Sequence, residues 1–306
     1  MKCAYCGREA KGTREHIISC AILDLFPECY ITFDNARQAI HQADPMVKDV
    51  CADCNNNKIS YIDSYAKEFI SQYFIEKYNE DSFIEIEYDY VMLQKMLLKY
   101  AYNDMRSHKE DCSFFDEGIL HYLMNEDDNE PKKNVTVMCG LAVNVSPVPD
   151  AMFGNLKLQW CKDPLLYANS TINHINYETG EILINENIEK EEFLDLKVSY
   201  LFRFNSGQFL LMCWEKDSEN IETNNVVLEH SYPYHLMKAG ERKAVLPICT
   251  DELNYHKFEH IHVRWDLLFE VGRMRKYASG GKYEYKEKYE KEWKEEEKRI
   301  KEEHPR

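Results

Sequence analysis

Residues 51–58, CADCNNNK, decide how the N-terminal part of this chain folds. They contain the second of two Cys-x-x-Cys pairs, and the first is CAYC at residues 3–6. Two such pairs can place four thiolates at the corners of a tetrahedron, which structural zinc prefers because no coordination position stays open for chemistry. We therefore predict a zinc knuckle, a structural Zn²⁺ held by Cys3, Cys6, Cys51 and Cys54. The alternative is four buried thiols without a metal.

The composition limits the classes of protein to consider. The 306 residues include 54 Asp and Glu against 38 Lys and Arg, and 44% are hydrophobic. This hydrophobic content excludes global disorder, and the formal charge of -16 argues against a stand-alone nucleic-acid binder. The chain shows no export signal and no apolar run near the ~18 residues that a membrane helix needs. With an odd cysteine count, we expect a cytoplasmic protein with reduced thiols and no membrane association.

Chemistry-bearing residues flank the second Cys pair. EHII occupies residues 15–18 between the pairs, Asn55-Asn56-Asn57-Lys58 follows directly after Cys54, and Ile62-Asp63 comes next. In this order the residues resemble the HNH (ββα-metal) endonuclease family, most closely the subgroup with CxxC, EHII and CxxCNN motifs. The resemblance covers about the first 65 residues. It implies a small zinc-stapled, treble-clef-like module over residues 1–66 that hydrolyses DNA phosphodiester bonds.

The resemblance also implies a role for each site residue. His16 would be the general base, since the ordinary pKa of histidine lies near neutrality. Glu15 and Asn55 would hold a catalytic Mg²⁺ or another divalent cation through hard oxygen atoms. Lys58 could touch phosphate or only influence the site electrostatically. Asp63 could orient a ligand, or it could cap a helix or pair on the surface.

Other interpretations of the same residues stay open. His16 could be a histidine without a catalytic role, and Asn55 could be a helix N-cap. Strand alternation would place Glu15 and His16 on opposite faces, so both reach one site only if the strand ends or twists there.

The sequence departs from the family pattern at two positions. Met46 stands where the family often has a middle Asn that braces the connecting loop. Asn35, His41 or Asp49 could substitute for it. Ser19 replaces the family's usual Pro, which we expect to alter the loop more than the chemistry.

The rest of the chain predicts a larger α+β domain over residues 67–271 and a charged amphipathic helix over 272–306. Apolar residues from Ile59 to Tyr73 recur at helical spacing, so one helix crosses the boundary between the first two domains. Further predicted helices cover 90–107 and 114–124. Predicted strands include 83–88, several β-rich runs after Asn134, and 244–248, with a hairpin turn at Asn205-Ser206-Gly207.

The leading hypothesis is therefore a metal-dependent DNA endonuclease, in an anti-phage or mobile-element system with a partner protein that supplies recognition or regulation. The alternative is a non-catalytic zinc-knuckle scaffold that binds protein. Residues 1–66 hold seven Lys and Arg against nine Asp and Glu, so the acidic excess belongs mainly to the rest of the chain. We expect weak, salt-sensitive DNA affinity without a partner. The oligomeric state stays open, and a homo-oligomer is compatible with the sequence.

Overall fold

A computed structural model describes most of the chain and leaves gaps. The described residues are 1–26, 32–34, 39–41, 44–76, 78, 83–142, 158–164, 174–175, 182–183, 193–231, 234–246, 248–249, 295 and 298. The predicted C-terminal helix lies outside them, except for Glu295 and Lys298, which are helical. Asn35 and the side chain of His41 also lie outside the described residues.

The N-terminal elements surround the two Cys pairs. Strand β1 (Gly12–His16) pairs antiparallel with β4 (Met46–Cys51). Between them lie helix α1 (Cys20–Leu23) and the short antiparallel pair β2 (Thr32–Asp34) and β3 (Ala39–His41). After β4 the chain forms a π-helical turn, Cys54–Lys58, and enters helix α2 (Ser60–Tyr73). The site residues are therefore carried by β1 and by the turn that follows β4.

Helix α2 forms where the apolar spacing predicts it. It buries Ile62, Ala66, Phe69 and Ile70, and the predicted domain boundary at residue 66 falls in its middle. It packs against helix α3 (Tyr90–His108), which is buried along most of its length. The Asp89 side chain caps the start of α3 by accepting a hydrogen bond from the Met92 amide, and Lys109 in the left-handed region ends it.

The rest of the described chain is built around one sheet. Its strands are β6 (Val135–Ala142), β7 (Leu158–Lys162), β10 (Leu196–Phe204), β11 (Gly207–Trp214), β12 (His235–Leu236) and β14 (Ile248–Cys249). The strand order is β12-β6-β11-β10-β7, and β14 pairs parallel with β6. The remaining elements are β5 (Ile84–Glu87) paired with β13 (Lys243–Leu246), β8 (His174–Ile175) paired with β9 (Ile182–Leu183), and helices α4 (Glu117–Met124) and α5 (Ile221–Ser231).

A mixed α+β architecture is therefore confirmed. One cluster of buried apolar side chains runs from Cys3 and Cys54 through α2 and α3 to the sheet face that carries Phe202 and Phe209. A smaller cluster, which includes Trp214, covers the opposite face of the sheet. In the described part of the chain, no helix combines the length and apolar character that crossing a membrane would require.

Candidate metal centre and active site

The first Cys pair lies on a tight turn. The amide of Gly7 donates to the Cys3 carbonyl at 2.9 Å, and the amide of Cys3 donates to the Arg8 carbonyl at 2.9 Å. Gly7 has a φ of 68°, a left-handed conformation in which a side chain would be strained. The turn is tied to β4 because the Ala4 amide donates to the Asp49 carbonyl at 2.8 Å. Both Cys pairs are thus held beside the same strand.

The structure brings the four predicted zinc ligands together. The sulfur atoms of Cys3, Cys6, Cys51 and Cys54 all lie within 4.8 Å of one another. The Sγ atoms of Cys6 and Cys51 are 3.8 Å apart. Zn–S bonds of about 2.3 Å in a tetrahedron require sulfur–sulfur edges of about 3.8 Å. The cluster therefore has the size and chemistry to hold a structural metal such as zinc.

Charged side chains support this cluster from outside. Arg8 donates through Nε to Cys6 Sγ at 3.4 Å and through Nη2 to Asp53 Oδ2 at 2.5 Å, so it links the two pairs. Burial raises the pKa of Cys6, but the hydrogen bonds with Arg8, Cys54 and Cys3 together outweigh burial and lower that pKa to about 6. Lys58, the predicted phosphate contact, has its Nζ 3.6 Å from Asp53 Oδ2 and stays partly exposed. Its side chain therefore also lies at the second Cys pair.

Strand β1 changes its register at the predicted site. Thr13 lies opposite Val50, but Glu15 lies opposite Val47, so β4 carries one extra residue in a β-bulge opposite Arg14. Beyond the bulge, Glu15 is buried and His16 is partly exposed. The Nε2 atom of His16 lies 3.9 Å from Asp44 Oδ2. His16 is thus open to solvent, whereas the Glu15 carboxyl faces the interior.

Asn55 connects the second Cys pair to β1. Its Nδ2 donates to Thr13 Oγ1 and to the Arg14 carbonyl, both at 3.0 Å. The N-cap position of the π-helical turn is occupied by Asp53, whose side chain makes no capping bond. Asn55 is therefore not the N-cap of this turn. The two bonds fix the amide plane of Asn55 beside the residue that precedes Glu15.

A buried lysine from α3 contacts the Glu15 carboxylate. The Nζ of Lys99 lies 2.9 Å from Glu15 Oε1 and 2.6 and 2.7 Å from the two carboxylate oxygens of Asp63. The Lys99 side chain is fully buried. Burial raises the pKa of Asp63, although the charges of Lys99 and His16 oppose that shift. Asp63 therefore pairs with the lysine that contacts Glu15.

Asn103, one helical turn after Lys99, braces the same strand. Its Nδ2 donates to Glu15 Oε1 at 3.3 Å and to the His16 carbonyl at 3.0 Å. Its Oδ1 accepts from the Tyr5 hydroxyl at 2.9 Å and from Arg106 Nη2 at 2.5 Å. Asn103 is fully buried with all these bonds satisfied, so it fixes the backbone at His16.

The candidates for the family's middle Asn have other surroundings. Asp49 forms an ion pair with Arg106 and so connects β4 to α3. Met46 lies in β4 directly opposite His16. Ser19, in place of the family's Pro, caps α1 by accepting from the Ile22 amide at 3.4 Å. Ser19 therefore serves as a helix cap at this position.

The two residues predicted to hold a catalytic cation each have one oxygen atom without a hydrogen bond to any described residue. Within the described part of the chain, neither Oε2 of Glu15 nor Oδ1 of Asn55 receives a hydrogen bond, and both are hard donors suited to Mg²⁺. The four cysteines are the one group of Cys, His, Asp and Glu side chains clustered tightly enough there to hold a metal by themselves. A second cation would therefore need the Asn55 amide and solvent as ligands.

The sequence interpretation missed the contribution of α3 to this site. Lys95, Lys99 and Asn103 recur every four residues in a helix that is otherwise strongly apolar. Polar residues at that spacing lie on one face, which signals a buried polar row. Which carboxylate this row would meet could not be deduced from the spacing.

Comparisons with family models, with curated proteins and with solved structures gave no match for this chain.

Proposed function

We propose that this protein is a metal-dependent endonuclease of the HNH type that hydrolyses DNA phosphodiester bonds. The observation that carries the proposal is the connection of the Cys cluster to β1 through Asn55. Its amide bonds to Thr13 and Arg14 hold an oxygen donor beside the strand that carries Glu15 and His16. A simple zinc staple does not require such an arrangement.

In this proposal His16 takes the proton from the attacking water. Its ring is partly exposed, so water and a phosphodiester can reach it, and its Nε2 atom lies 3.9 Å from Asp44 Oδ2. Asn103 holds the His16 carbonyl and thereby limits movement of the ring. Glu15 and Asn55 offer oxygen atoms to a divalent cation, which would supply Lewis-acid stabilisation of charge on the phosphate.

The test compares plasmid cleavage by the wild type with cleavage by His16→Ala, in Mg²⁺ or Mn²⁺. Removal of a general base is expected to lower the rate by about 10²- to 10⁴-fold. His121→Ala is the matched control, because His121 lies exposed on α4, outside the site. Equal rates for the wild type and His16→Ala would overturn the proposed function.

The acidity of the chain favours a partner for this activity. A charge of -16 opposes association with DNA, so we expect low activity alone that falls steeply with added salt. A partner protein that contributes a basic surface or target recognition would strengthen the association with DNA and so raise the activity. A role in an anti-phage or mobile-element system rests on the family resemblance alone.

One observation favours a second candidate, a non-catalytic zinc-knuckle scaffold. Oε1 of Glu15 is already bonded to Lys99 and Asn103 in the core, as expected of a carboxylate that only stabilises the fold. Glu15→Gln separates the candidates. Both measurements use protein whose Cys cluster already holds zinc. In a scaffold, Glu15→Gln would lower stability and leave Mn²⁺ binding unchanged. In the endonuclease, Glu15→Gln would abolish the binding of Mn²⁺ at the second site.

A further inference from the structure

Helix α3, which lies outside the region that resembles HNH endonucleases, reaches the proposed site with two side chains. Lys99 and Asn103 lie one turn apart on the same face, and both contact the same oxygen, Oε1 of Glu15: Lys99 by an ion pair and Asn103 by a hydrogen bond. Because Oε1 is occupied, Oε2 is the atom of this carboxylate left for another ligand. These two contacts therefore determine which oxygen of Glu15 is available.

Lys99 faces two carboxylates that differ in their surroundings. Its buried ammonium lies 2.9 Å from Glu15 Oε1 and 2.6 Å from Asp63 Oδ1. The Asp63 side chain is 25% exposed and burial raises its pKa, so solvent and protonation can relieve its charge, whereas the Glu15 side chain is only 6% exposed. Glu15 therefore depends on the Lys99 ammonium more than Asp63 does.

We propose that Lys99 is a positioning residue for Glu15: its ammonium holds Oε1 so that Oε2 faces the divalent cation of the active site. The inference rests on the proposed function, since it assigns a role within the same site. It also extends the site to α3, so residues 1–66 alone would be an incomplete enzyme. Partners that orient metal ligands in this way typically change metal affinity or activity by about 10- to 100-fold when removed.

The test measures Mn²⁺ binding to the zinc-loaded protein by isothermal titration calorimetry, beside plasmid cleavage at several Mn²⁺ concentrations. Lys99→Met keeps the length of the side chain and removes the ammonium. We expect about 10- to 100-fold weaker Mn²⁺ binding, and cleavage that partly recovers at high Mn²⁺ concentration. A variant damaged only in its fold would not recover with added metal.

Lys95→Met is the matched control. Lys95 lies one turn earlier on α3 and is also buried, but its ammonium donates to the Asn125 carbonyl at 2.8 Å and contacts tyrosine rings rather than Glu15. It should lose stability while Mn²⁺ affinity stays unchanged. Lys99→Met could fail to fold because Asp63 is left unpaired. In that case the double variant Lys99→Met, Asp63→Asn is compared with Asp63→Asn alone. The same loss of Mn²⁺ affinity is expected.

The outcomes separate the two proposals. Unchanged Mn²⁺ affinity in Lys99→Met, or an equal loss in Lys95→Met, would overturn the role of Lys99 while leaving the endonuclease intact. Mn²⁺ binding that depends on Glu15 and Lys99 without any cleavage of DNA would support the role of Lys99 and overturn the proposed function. A wild type that binds no Mn²⁺ would overturn both.

Discussion

At the scale of single residues, the charged and amide side chains buried in α3 each have a partner of complementary character. Lys99 meets two carboxylates, and Lys95 meets a carbonyl and the faces of two tyrosine rings. Asp104 accepts hydrogen bonds from Trp160 Nε1 and from the Tyr200 hydroxyl, both at 2.9 Å. Because an unpaired polar group in the core is costly, these pairs fix α3 against β1 and the sheet in one orientation.

Asp104 leads to a prediction about pH. Burial raises the pKa of Asp104, although His108 and the bonds from Trp160 and Tyr200 oppose that shift. The folded state therefore keeps this proton to a higher pH than the unfolded chain does. The contribution of Asp104 to stability is greatest in acid and is lost as pH rises from about 4, the ordinary pKa, through the raised folded pKa.

Asp104→Asn removes this titration and keeps the shape of the side chain. The free energy of unfolding of the wild type, minus that of Asp104→Asn, should decrease as pH rises from acid toward neutrality. Urea denaturation of both proteins at several pH values measures this difference, in which the groups that do not interact with Asp104 cancel. A difference that stays constant or increases with pH would contradict the prediction.

At the scale of elements, the turn between β10 and β11 holds the end of α2. Asn205 has a φ of 52°, and its Nδ2 donates to the Phe74 and Ile75 carbonyls at 2.8 Å each. Ser206 Oγ donates to the Phe74 carbonyl at 3.1 Å. The carbonyl groups at the end of a helix lack partners within it, so the hairpin satisfies them and joins α2 to the sheet.

Gly207, at this junction, has no room for a side chain. A Cβ atom there would lie 2.6 Å from two ring atoms of Phe74, which is too close for any real contact. Gly207→Ala should therefore destabilise the protein by about 1–3 kcal/mol, the usual range for an overpacked core. The measurement is the free energy of unfolding in urea.

Phe74→Leu provides the control for the cause of this loss. With a smaller side chain facing it, Gly207→Ala should cost less than it does in the wild type, so the two substitutions are coupled. Additive losses would show that the Phe74 ring is not the obstacle at Gly207.

At the scale of the whole molecule, the Cys cluster and the sheet share one core. Cys3, Cys51 and Cys54 belong to the same buried cluster as the residues of α3 and of β10. The Tyr102 hydroxyl of α3 donates to the Ala4 carbonyl within the first Cys turn at 2.9 Å. Loss of the metal should therefore affect the stability of much of the described structure as well as the first turn.

Cys51→Ser tests this prediction. We expect the wild type to contain stoichiometric zinc, and the variant to lose zinc and about 4 kcal/mol or more of stability, as is typical when a structural metal site is removed. Cys20→Ser is the control, because Cys20 is exposed and lies outside the cluster. Elemental analysis and thermal unfolding are the measurements. Normal stability of a zinc-free Cys51→Ser protein would exclude the structural role of the metal.

The sequence by itself determined the local features of this protein. The spacing of two Cys-x-x-Cys pairs predicted a four-sulfur cluster, and apolar periodicity predicted α2 and α3 within a few residues of their observed ends. Asn205-Ser206-Gly207 predicted the hairpin, because few residues adopt the conformation that such a turn requires. These features depend on residues close together in the chain, which is why periodicity and spacing reveal them.

Only the tertiary structure decided what surrounds Glu15. Lys99 and Asn103 lie more than eighty residues after Glu15 in the chain. No local sequence pattern shows that their side chains reach Glu15 on β1. The β-bulge in β4 opposite Arg14 likewise follows from the pairing of β1 with β4. Contacts between distant residues depend on how whole elements pack, so the sequence indicated a buried polar row in α3 but not the carboxylate that it serves.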